Sequence, residues 1–321
     1  MKKEFEVVSQ DTFKYLHVFL VHMASRTPHI HREIELGLVM DGKLTVREGK
    51  REWLLEKDEM YLINAMEAHE FVARDPHTLI LAIQVSPKLM TPFLPHAALI
   101  RYQTDPPLSS VFPSDSDLGA ELRKLCISLA GQYHEKAACY ELACFSLIAQ
   151  ILLLLGRHIP HAFIEQKDYD AARRRMERMA RITDYIDQHC QRKLLLEEIA
   201  EKNDLTLTYA SHLFRDTLGV TFQDYLKEKR FEHAFSLIET TDRTILEISL
   251  ESGFSDERYL NAIFRARLGC TPKEYRKTLI QTQREPMQAS ISTQRILSSQ
   301  ETLQLLNRSP YRLHCLNSNQ R

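Results

Sequence analysis

The chain has 321 residues, 44% of them apolar and 26% charged, with a net charge of −1, which are the proportions of a soluble globular protein with room for two domains. The longest apolar run, Leu147 to Leu155, is interrupted by Gln150 and falls short of a bilayer, and the opening Met1-Lys-Lys-Glu-Phe-Glu lacks the apolar stretch of a signal peptide; a membrane span is not expected, and a cytoplasmic location is. The near-zero charge conceals a division: residues 1–172 carry 18 basic and 23 acidic side chains, and residues 173–321 carry 24 and 20, so the second half is the better partner for a polyanion.

Residues 5 to 85 read as short strands. Tyr15–His22, Ile34–Met40, Leu44–Gly49, Arg51–Leu55, Met60–Ile63 and Thr78–Val85 are apolar or alternating segments. Their even spacing and turn signals, such as Asp41-Gly42, predict a small barrel or sandwich. Residues 86–117, rich in Pro, Ser and Asp, read as a loop or crossover. Two helices are predicted at 118–135 and 138–157, and the second is apolar nearly all round, as in a core or a partner interface. Six cysteines lack any Cys-x-x-Cys pair, and Cys126, Cys139 and Cys144 in apolar helical contexts read as reduced, buried thiols. An irregular linker is expected at 159–174. A helical domain follows over 175–279, and a polar tail over 280–321 is expected to be disordered or only locally helical.

The helical domain repeats itself. His212-Leu-Phe-Arg-Asp-Thr-Leu-Gly-Val-Thr-Phe-Gln-Asp-Tyr225 and Ala262-Ile-Phe-Arg-Ala-Arg-Leu-Gly-Cys-Thr-Pro-Lys-Glu-Tyr275 share Phe-Arg, Leu-Gly, Thr and Tyr at one spacing. A short helix precedes each copy, with Ile199 and Ala200 facing inward in the first and Ile248 and Ser249 matching them in the second. Two copies of helix, turn and helix predict two helix-turn-helix units. Thr206 or Thr208 caps the second helix of the first unit, and Ser255 or Asp256 that of the second; Gly219 and Gly269 end them. Periodicity buries Ala210, Leu213 and Phe214 and leaves Thr208, Ser211, His212 and Arg215 outside. In the second unit it buries Leu260, Ile263 and Phe264 and leaves Glu257, Arg258, Asn261 and Arg265 outside. Between the units, residues 221–240 read as one helix of roughly 30 Å, close to the roughly 34 Å between successive major-groove faces of B-DNA.

Residues 175–277 resemble the DNA-binding domain of AraC-family transcription regulators. The matching positions are Leu196-Glu-Glu-Ile-Ala200, Phe214-Arg215, Leu218-Gly219, Ile248-Ser249, Gly253-Phe254, Phe264-Arg265 and Thr271-Pro272-x-x-Tyr275-Arg276. The resemblance implies double-stranded promoter DNA as partner. Base contacts would come from Thr208, Ser211 and His212, and from Glu257, Arg258 and Asn261. Arg258 is suited to guanine and Asn261 to adenine. Lys229, Arg230 and Lys273 are candidates for phosphate contacts. Ala262 departs from the long polar residue often found at its position.

A second constellation lies in the strand region: His29-x-His31-x3-Glu35-x6-Gly42, with His69 beyond. It resembles the first cupin motif. Asp58 to His69 resembles a degraded second one, with Lys57, Asn64 and Met66 where Gly, Pro and Gly are usual. His29, His31 and Glu35 share strand parity. The cluster suits either a small-molecule pocket without an obligatory cofactor or a first-row divalent metal, in a sensor or in an enzyme. Trp53 is either a stacking platform for a sugar or core.

The expected fold class is α+β. It comprises a cupin-like effector domain at 1–117, dimerisation helices at 118–158, and an all-α domain at 175–279 with two helix-turn-helix units on a linker helix. The family resemblance implies a homodimeric, non-enzymatic regulator that responds to a small effector such as a sugar or oligosaccharide, and, in an activator, contact with RNA polymerase.

Overall fold

The structure is a computed structural model that describes residues 15–75, 77–281 and 294–308. In chain order, strands β1 (Leu16–Met23), β2 (Ser25–His29), β3 (Ile34–Asp41), β4 (Leu44–Glu48), β5 (Arg51–Leu55), β6 (Met60–Ile63), β7 (His69–Ala73) and β8 (Leu79–Val85) come first. They are followed by β9 (Ile100–Tyr102), helices α1 (Asp117–Glu135) and α2 (Tyr140–His158), and β10 (His161–Phe163). The second region holds α3 (Gln166–His189), α4 (Leu196–Lys202), α5 (Leu207–Leu218), α6 (Phe222–Thr240), α7 (Ile245–Glu251), α8 (Glu257–Leu268) and α9 (Pro272–Gln281). Two short elements close the described chain, β11 (Gln294–Ile296) and α10 (Ser299–Arg308).

The strands form the expected cupin-like barrel from two antiparallel sheets, ordered β11-β1-β8-β3-β6 and β2-β7-β4-β5. Period-2 alternation sorts the apolar residues. Phe19, Val21, Val39, Tyr61 and Ile80 meet Val46, Leu55 and Phe71 between the sheets. Leu16, Val18, Leu20, Leu36, Leu38, Leu81 and Ile83 point the other way and pack on α1 and α2. Two strands that the sequence reading passed over, β2 and β7, complete the smaller sheet. Polar β2 contains Pro28 and lies at a sheet edge, where a missing N–H is tolerated.

Helix α2 shows only one stripe to the core, Tyr140, Cys144, Ile148, Ile151 and Leu155. Its other side leaves Leu142 at 70% and Leu153 at 49% exposure. At 19 residues and mean hydropathy 1.5 the helix meets the length and apolarity of a membrane span, which corrects the expectation drawn from the shorter interrupted run. Cys139 is exposed and takes left-handed φ at the start of this helix, whereas Cys126 and Cys144 are buried as expected.

Two boundaries differ from expectation. The linker at 159–174 is structured: His161–Phe163 pairs with Ile100–Tyr102 inside the predicted 86–117 loop, and α3 begins at Gln166. The tail is not wholly irregular either. Val21 pairs with Ile296 and Met23 with Gln294, adding β11 to the edge of the larger sheet. Leu297 and Leu306 then enter the core that α1 shares with the barrel, and Ser298 and Glu301 cap α10 reciprocally. The helical domain is thus an insertion whose chain leaves the barrel region and returns to it. Residues 1–14, 282–293 and 309–321 of the expected domains lie outside the described residues.

Candidate DNA interface and barrel mouth

The two helix-turn-helix units share α6. Its first half (Phe222, Tyr225, Leu226) packs with Met179, Ile182 and Ile186 of α3, Ile199 of α4 and Phe214 of α5. Its second half (Phe231, Phe235, Ile238) packs with Ile248 of α7 and with Leu260, Ile263 and Phe264 of α8. One rigid helix therefore belongs to both cores and fixes the distance between them; its 19 residues span about 28 Å.

The repeat is explained by what each residue does locally. Thr206 Oγ1 accepts the Tyr209 N–H at 3.2 Å and Asp256 Oδ1 the Tyr259 N–H at 3.0 Å, starting α5 and α8. Gly219 and Gly269 take φ of 73° and 70° to end them, a conformation glycine adopts without a Cβ penalty. Thr221 and Thr271 cap α6 and α9. At the second turn, Gly253 has φ 81°, and a Cβ there would lie 2.5 Å from the Cys190 carbonyl oxygen.

Thr208, His212, Arg215, Arg258, Arg265 and Lys273 are exposed, and Ser211, Glu257 and Asn261 half-buried. In each unit the residues at i, i+3, i+4 and i+7 form one face, Thr208, Ser211, His212 and Arg215 in α5 and Arg258, Asn261, Ala262 and Arg265 in α8. Asn261 Nδ2 donates to Glu257 Oε1 at 3.4 Å, tying two of the predicted base readers together.

Two predicted phosphate ligands are committed elsewhere. Lys229 lies 3.1 Å from Glu232 and 3.7 Å from Asp187. Burial works against its charge, but these carboxylates and Tyr225 hold its pKa above the ordinary lysine value. Arg230 donates to the carbonyls of Cys190 at 2.7 Å and Arg192 at 2.8 Å, clamping α6 to the chain after α3. Both therefore hold the units together rather than extend toward a backbone.

The barrel brings its four predicted residues together. One ligand atom from each of His29, His31, Glu35 and His69 lies within 4.8 Å of all the others. Only part of the parity argument accounts for this, because His31 sits beyond the end of β2, in the connection to β3. His29 ends β2 and is paired across the sheet with His69, the first residue of β7. Gly37 of β3 makes room for Tyr61, whose ring would overlap any Cβ there. Tyr61 donates its hydroxyl to Glu35 Oε1 at 2.8 Å, and Gln84 donates to Glu35 Oε2 at 2.8 Å. Sequence reading missed both partners, although Tyr61 pairs within two residues of Glu35 and Gln84 pairs directly with it.

Each imidazole is oriented the same way. Nδ1 of His29, His31 and His69 lies 3.0 Å from the carbonyl oxygens of Thr27, Glu33 and Glu67 respectively. A carbonyl only accepts, so each Nδ1 carries a proton and each Nε2 is turned into the cluster. Nε2 of His29 and of His69 is buried without a hydrogen-bond partner. Burial, Arg26 and the other imidazoles hold His29 well below the ordinary histidine value, and burial followed by His31 brings His69 down to about 3. Glu35 is 2% exposed; burial pushes its pKa up, but His31, His69 and Gln84 outweigh this and keep it below the usual carboxylate range. His31 Nε2 stands 3.0 Å from Glu35 Oε2. With Nδ1 already protonated, that approach requires a second proton on His31 or a cation between lone pair and carboxylate. Three backbone-oriented imidazoles and one carboxylate fit a first-row divalent ion, the oriented Nδ1 groups being the usual outer support of such ligands.

The mouth is a cavity of about 190 Å3 lined by His17, Arg26, His29, Ile30, His31, Glu33 and Gln84. A second cavity of about 490 Å3 adjoins it, shared by Ile30–Glu33 and by Met176, Glu177, Ala180 and Arg181 of α3. Trp53 lines neither. It sits on β5, at the far edge of the smaller sheet from β2, packed on the inner core with Arg51 5.0 Å from its ring centre.

Comparison with known proteins agrees with this division. Residues 21–152 match the family model of an AraC-like ligand binding domain, and residues 199–278 that of a helix-turn-helix domain. The uncharacterized HTH-type transcriptional regulator YijO of Escherichia coli is 33% identical over 132 residues, 41% of this chain and 43% of that one. The HTH-type transcriptional activator RhaR of Klebsiella pneumoniae is 24% identical over 249 residues, 78% of this chain and 86% of that one. The alignment thus spans less than half of YijO but most of RhaR. Among solved structures, ToxT of Vibrio cholerae covers 82% of this chain and 98% of its own at TM-score 0.44 and 12% identity, too distant to carry residue roles across. With both domain models in order along one chain, the protein belongs to the AraC family of transcriptional regulators.

Proposed function

We propose that this protein is a cytoplasmic transcription regulator that binds promoter DNA through both helix-turn-helix units and alters that binding when a small effector occupies the barrel mouth. The observation that carries the DNA-binding part is the pair of outward faces on α5 and α8, joined by α6, whose 19 residues span about 28 Å, near one turn of B-DNA. Thr208, Ser211, His212, Glu257, Arg258 and Asn261 read bases. Arg215, Arg265 and Lys273 meet the backbone or the groove edge.

The effector site centres on His29, His31, Glu35 and His69, which would hold a divalent first-row metal. Such an ion would neutralise Glu35, accept the imidazole lone pairs and offer an open position to an oxygen-bearing ligand. A mouth of about 190 Å3 is small beside the roughly 300–1,000 Å3 of drug-sized pockets. It fits a monosaccharide or a smaller molecule better than an oligosaccharide. Coupling has a short physical route. His31 lines the mouth, and Arg32 beside it pairs with Glu177 of α3 at 2.7 Å. A ligand that prefers one arrangement of Ile30–Glu33 biases the first helix-turn-helix unit by its difference in affinity. The exposed apolar side of α2 supports the dimerisation role expected of it.

The test of the sensor half is a zinc titration of the purified chain with thermal unfolding as readout. One equivalent bound, with a rise in unfolding temperature that His69→Ala removes, supports the reading. No saturable binding removes the metal from it.

A further inference from the structure

The repeat that defines the two units extends to a pair of tyrosines that the base-reading faces do not include. Tyr209 and Tyr259 stand 50 positions apart, each the third residue of its recognition helix. They are 45% and 47% exposed. Each has a cation over its ring, supplied by the long helix that precedes its unit. Arg178 of α3 lies 5.9 Å from the Tyr209 ring centre, and Lys227 of α6 lies 5.8 Å from that of Tyr259. The cations do not match in type and are 49 positions apart, so the geometry recurs without an identical residue to copy it. Arg178 Nη1 donates to the Tyr209 hydroxyl at 3.4 Å, which leaves the hydroxyl hydrogen free to point outward. The second tyrosine also opens on a cleft of about 500 Å3 lined by Arg192, Lys193, Arg230 and Ser255. Lys229, two positions after Lys227 on α6, is neutralised by two carboxylates; neither Arg178 nor Lys227 is in an ion pair among the described residues.

On a helix that enters a groove by its N-terminal turn, a residue one step round from the base-reading face meets the groove wall, where the phosphates run. An exposed phenol beside an unneutralised cation offers a hydroxyl donor and a positive charge to one phosphate. We infer that Tyr209 with Arg178, and Tyr259 with Lys227, are matched phosphate clamps, one beside each recognition helix. The inference rests on the DNA-binding reading above and adds the contacts that place both helices in register.

The test uses the full chain on a random-sequence duplex and on its own upstream DNA, with binding followed by anisotropy across roughly 0.05–0.3 M salt. Arg178→Gln and Lys227→Gln should each lower the slope of log K against log salt by about 0.9 and weaken binding at 0.15 M roughly five-fold. The loss should be equal on both DNAs, and Arg178→Lys and Lys227→Arg should restore it. Tyr209→Phe and Tyr259→Phe keep the rings and should weaken binding about two- to three-fold, the scale of one lost neutral donor. An unchanged salt slope in the double Gln variant overturns the clamps, as does a loss confined to the upstream DNA, which would make these residues base readers. If the Gln variants fail to fold, wild-type affinity in both Phe variants overturns the proposal instead. Failure of the wild-type chain to bind any duplex would defeat the DNA-binding reading itself.

Discussion

The helical domain and the barrel mouth use buried side chains in opposite ways. In the helix-turn-helix units the buried cores are built mainly of apolar side chains, with a few small polar ones such as Thr217 and Ser249 among them, and function is left to an exposed face; Phe214 and Phe264 are fully covered while Arg215 and Arg265 beside them face solvent. In the mouth, function is what is buried. Glu35 and His69 are enclosed, and two imidazole nitrogens lack partners, a condition that costs stability unless something binds there. The first arrangement tolerates change at its working residues. The second stores its purpose in an unmet requirement.

The comparison can be broken at several points. The largest effect should come from the helical cores: Phe264, stacked on Phe235 with ring centres 5.5 Å apart, should cost about 3–5 kcal/mol on truncation to Ala, read by denaturant unfolding. A loss below 1 kcal/mol would mean that the second unit is loosely packed. Next comes the return of the chain to the barrel. Leu306→Ala removes a fully buried side chain from the core under α1 and should destabilise the sensor region by about 2–5 kcal/mol. Unchanged hydrogen exchange in β1 and α1 would show that the last helix contributes nothing there. In the mouth, a saturating divalent metal at about 100 times its Kd should add about 2.7 kcal/mol, and His29→Ala should abolish that gain, read as the difference between the metal-loaded and metal-stripped forms of each variant, because the change also removes the Nδ1 hydrogen bond to the Thr27 carbonyl. Gly253→Ala should cost about 1–3 kcal/mol for the left-handed backbone and more if Cys190 does not yield. The smallest change in stability, within about 0.5 kcal/mol, should come from Arg258→Ala, which should still cost about 1–3 kcal/mol in binding to a specific site. An equal loss on random DNA would contradict its role in reading bases.

What the sequence revealed follows the same division. The helical domain was legible because each unit's caps, turn and core lie within a few dozen residues and are written twice. The His cluster was legible as a spacing, yet its geometry was not: His31 reaches the centre from a loop, and Tyr61 and Gln84 arrive from strands paired only in three dimensions. Trp53 stayed open between a stacking platform and core, because its residue type suits both and nothing local showed which edge of the sheet it would occupy. Lys229 and Arg230 carried the right charge for phosphate; beside the local Glu232, Lys229 also meets Asp187, and Arg230 meets the Cys190 carbonyl, both about 40 residues away. The return of β11 to β1 was least legible, since its three residues pair with others more than 270 positions earlier, and no local pattern marks so short a strand.

The measurement that bears most directly on the account is anisotropy of the purified chain on its own upstream DNA against scrambled DNA at physiological salt, with the protein first stripped of metal and then loaded with zinc. The account predicts a preference for the upstream sequence that differs between the stripped and loaded forms, and that no longer differs in His69→Ala. Equal binding of both DNAs in both forms would contradict it.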